Sequence, residues 1–168
     1  SGNTDLWIKQ GSWGAQVNDL LTANDLKVNI QIQAEYYPAT RGVFVHYEVE
    51  ALEDLGAEVK VLIFVAEHKV VSPQKLEDSS TDELYEHHNI LSGNLTKSGY
   101  GDVLNASGML TGDKVQGIVI NGLDEMNSRR VILEDGETDL VVFALVVNSV
   151  TLEVLQVVEQ DVQIDKQL

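Results

Sequence analysis

Apolar and polar residues alternate with a period of two along most of this chain, which is the pattern of strands that bury one face. In the segment VNIQIQA, residues Val28, Ile30 and Ile32 fall on one side and the amide side chains fall on the other. The segment VFVHYEVEA, residues 43–51, shows the same alternation. Further strands are predicted in later segments, at residues 57–67, 69–72, 84–95, 114–122, 140–147 and 152–164.

Two segments depart from this alternation. The run LVVFALVV, residues 140–147, is continuously apolar, which predicts a central strand that is buried on both faces. In GSWGAQVNDLLTAND, apolar residues recur at helical spacing at Trp13, Val17, Leu20 and Leu21. No comparable helical segment lies between the strands, so a parallel sheet built from strand–helix–strand units is excluded.

The strand count and spacing predict the fold class. Strands that follow one another at intervals of about 8–12 residues are typical of sandwiches and barrels. We therefore expect an all-β fold, an antiparallel β-sandwich of jelly-roll or Ig-like type, with about 8–9 strands and one short N-terminal helix. Residues 1–25 are expected to form an N-terminal arm and short helix packed on the same domain, and residues 26–168 are expected to form the sandwich.

Composition narrows the classes of partner. The 168 residues include 27 acidic and 11 basic side chains, which gives a net charge of −16 at pH 7. Such a charge repels phosphate backbones, so we expect no nucleic-acid partner. The absence of cysteine excludes disulfides, thiol catalysis and thiolate metal sites. No apolar run approaches the ~20 residues of a membrane span, so we expect no span within this chain.

Two adjacent histidines, His87 and His88, are candidate metal ligands because neutral imidazole binds zinc, copper and nickel. Neighbours on a strand point to opposite faces, however, so a shared metal would need a partner from another strand, such as His46 or His68. The sequence shows no HxH or HExxH spacing. A structural role at the end of a strand is the alternative, and it is the one we favour.

Two acidic stretches, LEDSSTDE and LEDGETD, are candidate calcium sites, because calcium binds six to eight oxygen ligands that often come from loops. The candidate ligands are Asp78, Asp82, Glu134, Asp135, Glu137 and Asp139. Neither stretch has the spacing of an EF-hand loop. The simpler interpretation is a pair of solvated turns, since the Asp-Gly step of the second stretch suits a hairpin. We expect no cofactor, with calcium left open.

Tyrosines are the remaining candidates for ligand binding. Tyr36, Tyr37 and Tyr100 could stack on sugar rings, and Tyr85 stands beside the histidine pair; the alternative is that such rings cover the edge of the core. No GxSxG elbow, phosphate loop or recognisable catalytic triad is present. We therefore expect no enzymatic activity and name no catalytic residue.

Four segments occur in an order that resembles a known family. They are VNIQIQAEYYPATRGVFVHYEVEAL, VKVLIFVAEHKVVSPQ, YEHHNILSGNLTKSGYGDVL and DLVVFALVVNSVTLEVLQVVE. Over roughly residues 12–160 the sequence resembles the C-terminal β-domain of the 28-kilodalton outer membrane protein family of Bacteroidetes. The residues that fit the motifs of that family are Glu67, Val70, Val71, Gln74, Tyr85, His87, Asn89, Ile90, Leu91, Gly101, Asp102, Phe143, Val147, Asn148, Thr151, Glu153, Val154, Leu155 and Gln156.

The chain departs from the family pattern at three positions. His88 stands where the family motif has asparagine, Asn89 stands where it has its second histidine, and Ser92 replaces its arginine. Any task of that histidine–arginine pair is therefore not carried over to this chain.

The resemblance implies a location and a role. Members are exported, often as lipoproteins, and the domain often follows a thioredoxin-like domain. We therefore expect part of a longer exported protein at the outer membrane or cell surface of a Gram-negative bacterium, with a lipid anchor upstream of Ser1 as an option. The expected function is a non-enzymatic interaction or presentation module with a protein or glycan partner, its oligomeric state left open. The alternatives are a calcium- or glycan-binding module that uses the acidic loops, and an accessory domain of a protein with a thioredoxin-like domain.

Overall fold

The computed structural model describes residues 10–23, 26–122 and 138–165. A 3₁₀ turn, Gln10–Ser12, leads into helix α1, Trp13–Ala23, and strands follow. The strands are β1 (Val28–Tyr37), β2 (Gly42–Ala51), β3 (Val59–Val71), β4 (Gln74–Lys75), β5 (Thr81–Asp82), β6 (Glu86–Asn94), β7 (Asp102–Asn105), β8 (Lys114–Gly122), β9 (Leu140–Asn148), β10 (Val154–Asp161) and β11 (Gln163–Ile164).

One sheet has four strands in the order β11-β1-β2-β8. Strands β1 and β2 form an antiparallel hairpin whose register runs from Val28 opposite Ala51 to Tyr37 opposite Gly42. The turn that joins them closes with a hydrogen bond of 3.2 Å from the Thr40 amide to the Tyr37 carbonyl. Strand β8 is antiparallel to β2, whereas the short β11 runs parallel to β1.

The second sheet has five strands, with β10-β9-β3-β6 in order and β7 pairing with β3 beyond the end of β6. All its pairs are antiparallel. Strand β9, the continuously apolar run, lies between β10 and β3, so its predicted central position is confirmed. The strands β4 and β5 form a separate two-stranded ribbon in the segment that joins β3 to β6.

The core lies between the two sheets, and more than half of its buried residues are valine or isoleucine. Burial of apolar surface contributes about 25 cal/mol per Å², and such side chains fit a pleated surface well. The largest fully buried contributions come from both sheets: Val28, Val43, Val45 and Val49 from one, and Val59, Val61, Ile63, Val65 and Val142 from the other. The predicted all-β antiparallel sandwich with one short helix is thereby confirmed.

The strand count is higher than the predicted number because of local differences. The segments at residues 57–67 and 69–72 are one strand, β3, whereas residues 73–83 and 96–113, where no strand is predicted, contain the short strands β4, β5 and β7. The last predicted strand divides into β10 and β11 at Val162, which is buried and donates its N–H to the Leu140 carbonyl at 2.9 Å. Here the chain crosses from one sheet to the other.

Helix α1 has the predicted position, and two of its apolar side chains are exposed to solvent. Trp13 is 56% and Val17 is 55% exposed. The division into an arm at residues 1–25 and a sandwich at 26–168 stays a prediction, since residues 1–9 and 24–25 lie outside the described part of the chain. Within the described residues, no helix has the length and apolar character needed to cross a membrane.

We expect the substitution Gly108→Ala to destabilise the sandwich. Gly108 has a φ of +94°, and an added methyl group would overlap the carbonyl oxygen of Leu55. That carbonyl accepts a 3.0 Å bond from the Met109 amide, and the Leu55 amide donates to Met109 in return at 2.7 Å. Backbone strain at residue 108 and the loss of the two hydrogen bonds between Leu55 and Met109 should lower the free energy of unfolding by ~3 kcal/mol, measured by urea denaturation.

The matched control is Gly56→Ala in the neighbouring loop. An added methyl group there meets no heavy atom within 4 Å, and Gly56 is not among the residues with positive φ. Its free energy of unfolding should change by no more than about 0.5 kcal/mol. Equal unfolding midpoints for the two variants would contradict the proposed role of Gly108.

Candidate functional site

The structure gives the two adjacent histidines different neighbours. The His87 ring packs edge-on against the Tyr85 ring at 4.9 Å between centroids, and its Nε2 is buried without a hydrogen-bond partner. The His88 Nε2 lies 3.3 Å from a carboxylate oxygen of Glu86. Both residues sit at the start of β6, opposite Val70 and Lys69 of β3. The two imidazoles therefore do not converge on one point.

The other two histidines lie elsewhere. His68 Nε2 is 2.7 Å from the Asp161 carboxylate, across the end of the five-stranded sheet. His46 lies on the outer face of the four-stranded sheet, opposite Gln33. Among the residues that the structure describes, no three histidine, aspartate or glutamate side chains come together in a way that could hold a metal ion.

The acidic candidates that the structure describes are separate hydrogen-bond acceptors: Asp78 and Asp82 accept locally, and Asp139 accepts from strand β3. Asp78 accepts 2.9 Å and 2.6 Å bonds from the Ser80 amide and hydroxyl, which lower the pKa of this carboxyl. Asp82 accepts the Leu84 amide at 3.0 Å, and Asp139 accepts the Lys69 amide at 3.2 Å. The bonds of Asp78 and Asp82, each to the amide two residues on, are those that ordinary turns use.

Three further acidic candidates, Glu134, Asp135 and Glu137, lie outside the described residues. Asp54, which the sequence did not single out, is a turn acceptor of the same kind as Asp78. It accepts the Thr111 amide at 2.9 Å and the Thr111 hydroxyl at 2.8 Å, and these bonds lower its carboxyl pKa. An acidic residue beside a turn serine or threonine is too common a pattern to identify a site.

The four candidate tyrosines do not form one stacking platform. Tyr36 points into the core and is only 3% exposed. Tyr37 points to the opposite side of β1, where its hydroxyl donates to Glu35 at 2.8 Å and its ring packs on Phe44 at 4.5 Å. The bond to Glu35 raises the pKa of the Tyr37 hydroxyl. Tyr85 lies beside His87, and Tyr100 projects from the loop before β7.

The outer face of the four-stranded sheet carries polar side chains in register, and we call it the polar face. It consists of Asn29, Gln31, Gln33, Glu35, His46, Glu48, Glu50, Lys114 and Gln116, bordered at one end by Phe44, Ile118 and Ile120. Lys114 lies 3.2 Å from Glu48 and 3.1 Å from Glu50. The Gln116 amide also donates to Glu48, and together these bonds lower the pKa of the Glu48 carboxyl. Many polar groups of this face thus satisfy one another.

The outer face of the five-stranded sheet has the opposite character, and we call it the apolar face. Its members alternate along β3 and β9 with the core residues, so they point away from the core. They are Leu62, Phe64, Leu91, Val103, Phe143, Leu145, Val147, Val154 and Val157. The peripheral members are half exposed or more, with Leu91 at 64%, Val103 at 52%, Val154 at 51% and Val157 at 50%.

The register of the strands makes this face continuous. Val157, Leu145 and Leu62 form one row across three strands, and in the next row Phe143 lies between Phe64 and the exposed Glu159. Lys60 is the one basic residue among these rows; it lies opposite Val147 and pairs with Glu58 at 3.1 Å. Contiguous exposed apolar patches on a protein surface mark interaction sites. The continuous apolar run of β9 was the sequence signal, but the sequence did not show that one side of this strand is open to solvent.

Comparison with known proteins identifies the fold. No protein-family model and no curated protein matches the chain. Among solved structures, HBP35 of Porphyromonas gingivalis superposes with a TM-score of 0.69 at 11% identity, over 92% of this chain and 47% of that one. The chain thus spans about half of the HBP35 chain.

A domain of the outer membrane lipoprotein Omp28 from Porphyromonas gingivalis also matches. It superposes with a TM-score of 0.51 at 17% identity, over 83% of this chain and 91% of that one. Sequence identities this low establish a common fold. The chain has the fold of an Omp28 domain, which confirms at the level of the fold the family resemblance found in the sequence.

Proposed function

We propose that this chain is a non-enzymatic interaction module of an exported protein, and that its apolar face is the surface that binds a protein partner. The observation that carries the proposal is the contrast between the two outer faces. A sheet face in contact with water normally carries polar side chains, as the polar face does. The apolar face instead presents valine, leucine and phenylalanine, and burying them against a partner would be favourable.

The chemistry of the apolar face favours a protein over a glycan. Glycan recognition uses hydrogen-bonding groups together with accessible aromatic rings. The exposed members of this face are aliphatic: Leu91, Val103, Val154 and Val157. Aliphatic side chains of a sheet are normally covered by a second layer of helices or strands. A helix or sheet of a partner domain therefore fits this surface.

The proposed location rests on the solved structures of the same fold. One is a domain of an outer membrane lipoprotein, and both come from Porphyromonas gingivalis. We propose an outer membrane or cell-surface location in a Gram-negative bacterium, with a lipid anchor on the complete protein.

A second candidate function is that of an accessory domain beside another domain of the same polypeptide. It is favoured by the match to HBP35, because the chain spans only 47% of that protein. In this case the partner that covers the apolar face would be the neighbouring domain. The interaction surface is the same in both proposals, and only the covalent connection differs.

We expect added calcium to leave the thermal stability unchanged. Asp78, Asp82 and Asp139 accept separate backbone amides, and no three possible ligands come together among the residues that the structure describes. The melting temperature should agree within about 1 °C between EDTA and millimolar calcium, measured by circular dichroism. A ligand at a hundred times its Kd would stabilise the fold by ~2.7 kcal/mol and raise the melting temperature by several degrees.

The matched control for the calcium experiment is the variant Asp78→Asn titrated in the same way. A calcium-dependent rise of several degrees in the native chain that Asp78→Asn abolishes would contradict this expectation. It would also restore the calcium-binding alternative at the first acidic stretch.

The test of the proposed function is site-specific photocrosslinking in cells that make the complete protein. A photoreactive amino acid at Val157 should form covalent adducts, because this position lies on the apolar face and is half exposed. The control position is Gln31, which is exposed on the polar face. We expect protein adducts from Val157 in clear excess over Gln31, identified by mass spectrometry. Equal or absent adducts at both positions would refute the apolar face as an interaction surface.

A further inference from the structure

Strand β8 forms an open edge of the four-stranded sheet. It pairs with β2 in a register that runs without a bulge from Lys114 opposite Glu50 to Gly122 opposite Gly42, and within the described residues no strand lies on its other side. Two side chains on its exposed face are apolar, with Ile118 at 65% and Ile120 at 62% exposure. A long, regular edge strand with exposed apolar side chains is a surface to which another strand can add.

The backbone of β8 presents hydrogen-bonding groups at this edge. Hydrogen-bonded and non-hydrogen-bonded residue pairs alternate along two antiparallel strands. The Ala51 amide donates to the Asp113 carbonyl at 2.9 Å, in the same register as β2 and β8 and one residue before β8 begins. The odd-numbered residues of β8 therefore direct their N–H and C=O groups toward β2. The even-numbered residues, among them Gln116, Ile118 and Ile120, direct theirs toward the open edge.

The other strands that border the two sheets have features that hinder the addition of a strand. Strands β6 and β10 each contain a register shift, and they carry acidic side chains, Glu86 in β6 and Glu159 and Asp161 in β10. Strands β7 and β11 are short, with four and two residues. Strand β1 pairs with β11 at one end, and its exposed side chains are glutamines. The nine residues of β8 include no acidic residue and no proline.

We propose that β8 pairs antiparallel with β8 of a second copy, so that Ile118 of each copy lies opposite Ile120 of the other. The two-fold axis then passes beside Val119, and the two four-stranded sheets join into one sheet of eight strands. The even-numbered residues of both copies face one another and exchange backbone hydrogen bonds. The two neighbouring registers would place an isoleucine opposite Gln116 or Gly122 and lose the apolar pairs.

Charge favours a second copy of β8 as the strand that adds. Each copy has a net charge of −16, so a contact between copies that places carboxylates opposite one another is unfavourable. Pairing β6 or β10 with its own copy would bring the acidic residues of those strands into the contact. In the proposed register, Glu48 of β2 lies about 20 Å along the strands from its copy, and three strand spacings across the sheet. That separation exceeds the Debye length of ~8 Å at physiological ionic strength.

The first test is sedimentation velocity of the 168-residue chain over a range of concentrations. A reversible dimer is expected. The variants Ile118→Glu and Ile120→Glu should each raise its dissociation constant by at least about tenfold, because each places a charge in an apolar pair. The control is Gln31→Glu, which adds the same charge at an exposed position of β1 and should have little effect. A chain that is monomeric at every concentration would overturn the proposal, and so would a dimer that all three variants leave unchanged or weaken equally.

The second test addresses the register. A tagged Ile118→Lys chain should retain an untagged Ile120→Glu chain, because the two new charges lie opposite one another in the mixed dimer. The matched control replaces the second chain with Ile118→Glu, whose carboxylate lies opposite an isoleucine in the mixed dimer. We expect clearly more retention in the first mixture, measured by quantifying the untagged chain. Equal retention in both mixtures would overturn the proposed register.

The third test separates backbone pairing from a contact of side chains alone. The amides of Ile118 and Ile120 should exchange with deuterium more slowly at concentrations that favour the dimer, as measured by NMR. The Val119 amide, which points toward β2, should be protected at all concentrations. Exchange at Ile118 and Ile120 that does not depend on concentration would overturn the pairing of the two edges. The contact lies on the sheet opposite the apolar face, so its failure would leave the proposed function standing.

Discussion

The pairing of β3 with β9 is the constraint on which the rest of the molecule depends. The two strands pair without interruption from Val59 opposite Asn148 to Glu67 opposite Leu140, and both are apolar on both sides. One side of this pair supplies Val61, Ile63 and the other central residues of the core. Because side chains alternate along a strand, the same register turns a second apolar set away from the core. The apolar face is therefore a direct consequence of how the core is built.

The stability of the sandwich does not by itself require that second apolar set. Val154 and Val157 are half exposed at the edge strand β10, so their contribution to burial within the chain is small. Threonine or a charged residue at such positions would also form a strand, as the exposed positions of β1 show with Gln31 and Gln33. The apolar side chains on the open side are the ones that the proposed partner would cover.

The sequence predicts most of the fold because the period of alternation is a local property. It locates β1 and β2 closely. It also identifies β9 as central, because a continuous run of apolar residues is typical of a strand that is buried on both faces. It does not show the crossing at Val162, because the alternation of Val162, Gln163 and Ile164 looks the same whichever sheet this end of the chain joins. It also misses β7, whose four residues lie between glycine-rich turns and pair with β3 only through the tertiary fold.

The candidate site is less predictable because it depends on which residues the folded chain brings together. His87 and His88 are adjacent in sequence, yet one packs on Tyr85 and the other faces Glu86. The acidic stretch around Asp78 suggests ligands, but its hydrogen bonds stabilise its own turn. The apolar face, by contrast, is assembled from β3, β6, β7, β9 and β10, no one of which contains it. A surface of this kind becomes visible only when the register of all five strands is known.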